Sequence, residues 1–128
     1  MVLAIGTSAQ VETTVTKEMT AREVGSGSLL VLATPCMCAL MEKAACSCIA
    51  SALEEGTTTV GTQLEITHDA ATPVGMCVRA DATVTAVDGR KITFFVRAFD
   101  EKGQIGAGVH TRVVVQEERF LQKTYDKL

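Results

Sequence analysis

The hydrophobic and polar positions change their period twice along the chain. Residues 11–16 alternate and are rich in β-branched side chains, which predicts a half-buried strand. Residues 19–28 lose all periodicity and end in Gly25, Ser26, Gly27 and Ser28, a composition that favours a mobile loop. Thr34 and Pro35 then open a helix, because threonine can cap free backbone N–H groups and proline in the first turn has no donor to waste. The helix is expected over 34–55, with Gly56 as its stop. Within it Lys43, Ser47, Ser51 and Glu54 make one narrow polar stripe and nearly everything else is apolar, so burial on most sides is expected.

After Gly56 the period falls to two. Strands are expected over 58–68, 75–87, 90–100 and 104–116, with Asp88 and Gly89 as a tight hairpin turn. In the second of these, Met76, Val78, Ala80, Ala82, Val84 and Ala86 share one face, which must be the one against the helix. Nothing suggests parallel crossovers. The pattern predicts an α+β layer in one domain over 1–128, an antiparallel sheet with a single long helix on one face.

Composition narrows the function classes. At 128 residues and 47% apolar the chain can fill one core. A formal charge of −3 with scattered Lys and Arg leaves no basic footprint, so nucleic acid is excluded as a main partner. The most apolar window, residues 29–41, holds Thr34 and Pro35 and falls short of the ~18 residues a membrane span needs. The first ten residues lack the charged start and apolar run of a secretory signal, so a cytoplasmic, membrane-free protein is expected. Cys36, Cys38, Cys46 and Cys48 fall within thirteen residues of a helical stretch, a poor disulfide framework. A C-x-C pair on a helix points its thiols ~200° apart and cannot chelate a metal alone, so reduced core filler is the expectation and no metal is implied.

Three residues carry candidate chemistry. Glu42 lies away from the polar stripe, on a face with Cys38, Ala39, Ala45, Cys46 and Ile49, where an unpaired carboxylate is costly; it is either a working group or a structural hydrogen-bond anchor. His68 ends its strand on the same face as Val60, Leu64 and Ile66 and so looks toward the helix and Glu42. Carboxylate plus imidazole across one cavity is what water activation or acyl transfer requires. Thr34 reads as a helix cap, yet the free N–H groups beside it suit an oxyanion. His110 and Arg112 are expected on the sheet face opposite the core, solvated or facing another subunit, and Phe95, Phe99 and Val114 are expected to make an apolar patch on that face.

The segments Ala33-Thr34-Pro35, Leu40-Met41-Glu42, Val60-Gly61-Thr62, Thr67-His68, Ala70-Ala71-Thr72-Pro73 and Gly106-Ala107-Gly108-Val109-His110-Thr111-Arg112 together resemble the fluoroacetyl-CoA thioesterase family of hotdog-fold proteins. The resemblance runs from about Thr34 to Val115 and keeps the spacing of that family's threonine, glutamate and histidine. It implies Thr34, Glu42 and His68 as the catalytic set, Gly61 lining the acyl site, Arg112 as a substrate-binding position of unassigned role, and a homodimer or larger homo-oligomer. It implies no cofactor, coenzyme A entering only as part of an acyl-CoA substrate. The expected activity is thioester hydrolysis, with Glu42 as nucleophile or as base for water, His68 assisting and Thr34 near the oxyanion. The rival reading is a non-catalytic module that holds an apolar acid in the helix-sheet cavity. A hydratase reading lacks the aspartate-to-histidine arrangement expected near the start of the helix.

Overall fold

The period-two segments pair into one antiparallel sheet. In the computed structural model, which describes residues 1–128, the strands are β1 (Ser8–Thr14), β2 (Thr57–His68), β3 (Cys77–Asp88), β4 (Lys91–Asp100) and β5 (Gly103–Gln116). They run in the order β1-β3-β4-β5-β2, every neighbouring pair antiparallel. The long helix is α2 (Thr34–Ile49), shorter than expected. It tightens into a 3₁₀ turn over Ala50–Ala52 and leaves helical backbone at Leu53, while Gly56, at φ 80°, makes the turn into β2. The aperiodic segment before it holds one helical turn, α1 (Ala21–Val24), in which the Glu23 N–H donates to the Thr20 hydroxyl and those of Ala21 and Arg22 to the Val31 and Leu29 carbonyls. A polar helix without buried residues, α3 (Glu117–Tyr125), follows β5.

Packing explains why α2 sits where it does. Met37, Leu40, Met41, Ala44, Ala45, Cys48 and Ile49 are buried against Val78, Ala80, Ala82 and Val84 of β3 and Ile92, Phe94, Val96 and Ala98 of β4. Burying each large side chain in this set contributes about 1.5–3 kcal/mol, and the alanines let the helix lie close to the sheet. Lys43 and Ser47 are exposed as expected, but Ala39 and Cys46 are exposed too and Cys38 and Glu42 are only half-buried. The open face of the helix is therefore wider than its polar stripe, which corrects the expectation of burial nearly all round.

Three bulges decide which side chains face α2. In β3 the register shifts between Val84 and Ala86, so the expected inward face holds as far as Val84 and Ala86 is turned out. In β2 the register shifts between Gly61 and Gln63. Leu64, Ile66 and His68 face inward as expected; before the bulge it is Thr59 and Gly61 that do so, opposite Arg112, and Val60 does not. In β5 the shift falls at Ile105, which is buried. Gly106, Gly108, His110, Arg112 and Val114 then follow on the inner face, so His110 and Arg112 are buried under α2 and Val114 packs on the core. The outward placement expected for these three is wrong, because one inserted residue inverts the parity of everything after it.

The outer face keeps an apolar strip, carried on β5 by Ala107, Val109, Val113 and Val115 rather than by Val114. Phe95 and Phe99 do lie on it, but Arg79 covers the Phe99 ring at 4.6 Å, and Arg97, paired to Asp81 at 3.1 Å, lies 5.3 Å from Phe99 and 5.8 Å from Phe95. No helix is long and apolar enough to cross a membrane.

Gly106 of β5 lies against Met37 of α2 and the backbone of β2. A Cβ there would meet the Thr67 carbonyl and lie 2.9 Å from Met37 Cε. Gly106→Ala is expected to cost about 1–3 kcal/mol through overpacking, read as a lower urea midpoint at unchanged m-value.

Candidate active site

The N-terminus of α2 and the end of β2 meet at one polar contact. Thr34 is the first residue of the helix, the N-cap is Ala33, and no side chain caps this end. The Thr34 hydroxyl is turned to the sheet, where Oγ1 lies 2.7 Å from Nδ1 of His68. The expectation of a capping threonine is thereby corrected. Within the first turn the N–H groups of Cys36 and Met37 donate to the Ala33 carbonyl and Pro35 has none, which leaves the Thr34 N–H as the free donor.

His68 is held at both ends. Asp69 and Ala70, directly after it, both donate their N–H groups to the carbonyl of bulge residue Ile105, at 2.6 and 3.4 Å. Its Nδ1 takes the Thr34 contact, while Nε2 is buried without any protein partner. Either the Thr34 O–H donates to Nδ1, or a protonated Nδ1 donates to Oγ1 and Nε2 is a free base. In both cases a ring nitrogen awaits an outside partner. A cavity of about 280 Å³ opens beside the pair, lined by Ala21, Ser26, Val31, Leu32, Ala70 and Ala71 in addition to Thr34, His68 and Asp69.

Glu42 belongs to a second cluster. Eight residues separate it from Thr34, about 12 Å along the helix axis. It does not bond His68, the partner expected for it. Its Oε2 accepts from Nη1 of Arg112 at 2.9 Å and lies 3.8 Å from Nε2 of His110. The Glu42 side chain is 42% exposed, so the carboxylate is paired and half-solvated rather than enclosed on an apolar face. Its Oε1 carries no hydrogen bond. Arg112, 7% exposed, also donates Nε–H to the Thr59 hydroxyl at 2.9 Å and Nη2–H to the Thr59 carbonyl at 3.1 Å.

Gly61 sits directly beneath this pair. A Cβ at 61 would stand 2.6 Å from Glu42 Oε2 and 3.2 Å from Arg112 Nη1, so only glycine lets the ion pair lie on the strand. The structure thus joins Thr34 to His68, and Glu42 to Arg112 and Gly61. Thr59 and His110 complete the second cluster; sequence reasoning missed the first and misplaced the second. A Glu side chain leans toward the N-terminus of its helix, which brings Glu42 closer to the Thr34 end than the axial spacing suggests.

A larger cavity of about 680 Å³ lies under α3 at the other end of α2, lined by Leu53, Val87, Val114 and Phe120 among others. Its one carboxylate, Glu54, is paired with the chain's N-terminal ammonium at 3.2 Å, and neither histidine reaches it. The Thr34–His68 cavity is smaller but holds the groups able to do chemistry.

The chain is 40% identical over 97 residues to the fluoroacetyl-CoA thioesterase of Streptantibioticus cattleyicolor, covering 76% of this chain and 70% of that one. The solved structure of the fluoroacetyl-CoA thioesterase FlK superposes with a TM-score of 0.94 at 32% identity, over 100% of this chain and 99% of the other. A thioesterase superfamily member from Thermus thermophilus gives 0.86 at 32% identity over 99% and 98%. A hot-dog-like protein from Thermanaerovibrio acidaminovorans, 24% identical, shares the fold, with a TM-score of 0.89 over 98% and 93%. Since residues 15–118 also match the family described as fluoroacetyl-CoA-specific thioesterase, this chain belongs to that family of hotdog-fold enzymes.

Proposed function

We propose that this thioesterase hydrolyses short acyl-CoA thioesters, with Thr34, Glu42 and His68 as its catalytic set. The observation that carries the reading is the Thr34–His68 contact at 2.7 Å on the wall of a cavity, with His68 Nε2 buried and unpartnered. A group so placed is satisfied by a substrate carbonyl or by the water that attacks it. The Thr34 hydroxyl and N–H steady the oxygen on which negative charge develops. Glu42, ionised beside Arg112, offers its free Oε1 either as nucleophile or as base for water. In both routes the C–S bond breaks, the thiolate leaves with a proton, and water supplies the new oxygen of the acid. No cofactor is needed, coenzyme A arriving with the substrate.

The acyl group is small. A cavity of about 280 Å³ lies just below the range of drug-sized pockets, and alanine, serine, valine and leucine line it without an aromatic ring. Gly61 and Arg112 border the same inner face and serve substrate binding. The functional unit is a homodimer or larger. Strand β2 is a twelve-residue edge strand with one side unpaired, and the adjacent open side of α2 exposes Ala39 and Cys46 beside Glu42. A second copy on this edge encloses Glu42.

Three outcomes are expected. In a thiol-release assay over acetyl-, fluoroacetyl-, propionyl- and octanoyl-CoA, the short substrates turn over and octanoyl-CoA does not; without an aromatic wall, kcat/KM for fluoroacetyl- over acetyl-CoA stays within about 200-fold. Tight binding of all four without thiol release would overturn the reading. Glu42→Gln lowers kcat at least ~1000-fold and, by weakening a half-exposed pair to Arg112, lowers stability by about 1 kcal/mol; near-normal turnover would remove Glu42 from the set. Light scattering gives at least twice the 13.6 kDa chain mass at micromolar concentration, and a clean monomer would contradict the assembly.

A further inference from the structure

The Arg112 guanidinium has five N–H groups, and its environment fixes four of them. Two meet Thr59, and Nη1 is shared between Glu42 Oε2 at 2.9 Å and Nε2 of His110 at 3.2 Å. The last contact is possible in one protonation state alone. His110 Nδ1 lies 2.8 Å from the Gln63 carbonyl, which has no proton to give, so Nδ1–H is the donor. In the neutral ring Nε2 then presents its lone pair to Arg112.

The balance around the ring favours that form: burial and the Arg112 charge outweigh Glu42 and the Gln63 carbonyl, which favour the protonated ring. His110 is 1% exposed and stacks on Phe94, with centroids 5.9 Å apart. The charged groups facing it are Arg112 from its own strand and Glu42 from α2; β2 offers the Gln63 carbonyl and Gly61, and β4 the Phe94 ring. Burial, more than the neighbouring Arg112 charge, holds its pKa below the ordinary imidazole value. A ring wanted for packing alone would need neither nitrogen.

We propose that His110 is a positioning residue for thioester hydrolysis: as a fixed hydrogen-bond acceptor it aims Nη1 of Arg112, and Arg112 in turn holds the Glu42 carboxylate at the reacting carbonyl. The inference rests on the reading of Glu42 as a catalytic group. His110 touches no substrate. It acts because a half-exposed glutamate has many rotamers and this one is anchored through Oε2 alone, so freedom gained by Arg112 passes directly to the attacking carboxylate.

The test compares side chains that keep one ring nitrogen's function at a time. His110→Asn can still donate to Gln63 but no longer reaches Arg112; His110→Gln places its amide oxygen near the Nε2 position. Each is assayed for kcat, KM and melting temperature on the best short acyl-CoA, alone and combined with Arg112→Lys. His110→Asn is expected to lower kcat about 10–100-fold with KM within about threefold, His110→Gln to recover most of that loss, and the His110→Asn, Arg112→Lys double variant to be no slower than Arg112→Lys alone. Equal kcat in the Asn and Gln variants, or losses that multiply with Arg112→Lys, would overturn the inference. Should His110→Asn not fold, the comparison of His110→Gln with His110→Phe reads the same acceptor. Glu42→Gln in the same series separates the two ideas: an active Glu42→Gln sinks the catalytic reading itself, whereas an inactive one beside a fully active His110→Asn sinks the role of His110 alone.

Discussion

A guanidinium cannot give up its charge, so a fold that buries one must bring acceptors to it or lose several kcal/mol. Arg112, covered by α2, sets that demand here. Thr59 answers with its hydroxyl and carbonyl, His110 with a ring nitrogen and Glu42 with a carboxylate oxygen. Each answer constrains the backbone. Thr59 and Gly61 must face inward on the same strand as Leu64 and Ile66, which strict alternation forbids and the bulge at Thr62 permits. A side chain at position 61 would then push the Glu42 carboxylate from its place beside Arg112.

What could be read along the chain was what local chemistry encodes. The start of α2 at Thr34, the inward run from Val78 to Val84 and the hairpin after Asp88 follow from a proline, a period of two and a glycine, each sensed within a few residues. Glu42 and His68 were also legible as polar residues on apolar faces. The bulges were not. Each adds one residue with no mark in composition, and in β5 the misleading cue was strong: Ala107, Val109, Val113 and Val115 form an apolar parity that reads as the core face yet points outward, leaving His110 and Arg112 inside. Family resemblance reached Gly61 and Arg112 where periodicity could not. The Thr34–His68 contact and the partnership of Glu42 with Arg112 depend on strand register across residues far apart in sequence, and so were outside any local reading.

The two clusters differ in electrical character. Thr34 and His68 form a hydrogen-bonded pair that can pass a proton either way, whereas Glu42 is an ion held by an ion. The proposed hydrolysis draws on both: a place where charge appears on the carbonyl oxygen and a group that is anionic before the reaction begins. Placing them on one helix, about two turns apart, keeps their spacing rigid while leaving their environments separate.

The tether behind His68 bears on motion. Asp69 and Ala70 are fastened to the Ile105 carbonyl, and the chain is held again at Thr72, whose carbonyl accepts from the Leu32 N–H at 2.9 Å and whose hydroxyl donates to Asp100 at 2.8 Å. Ala71 alone connects these two anchors, so the backbone that follows His68 is fixed on both sides of it. Val31 stands in the segment that leads into α2 and lines the cavity. The cavity wall at Ala70 and Ala71 is thus part of the tether behind His68, so the shape of that space and the aim of the ring are set by the same few hydrogen bonds.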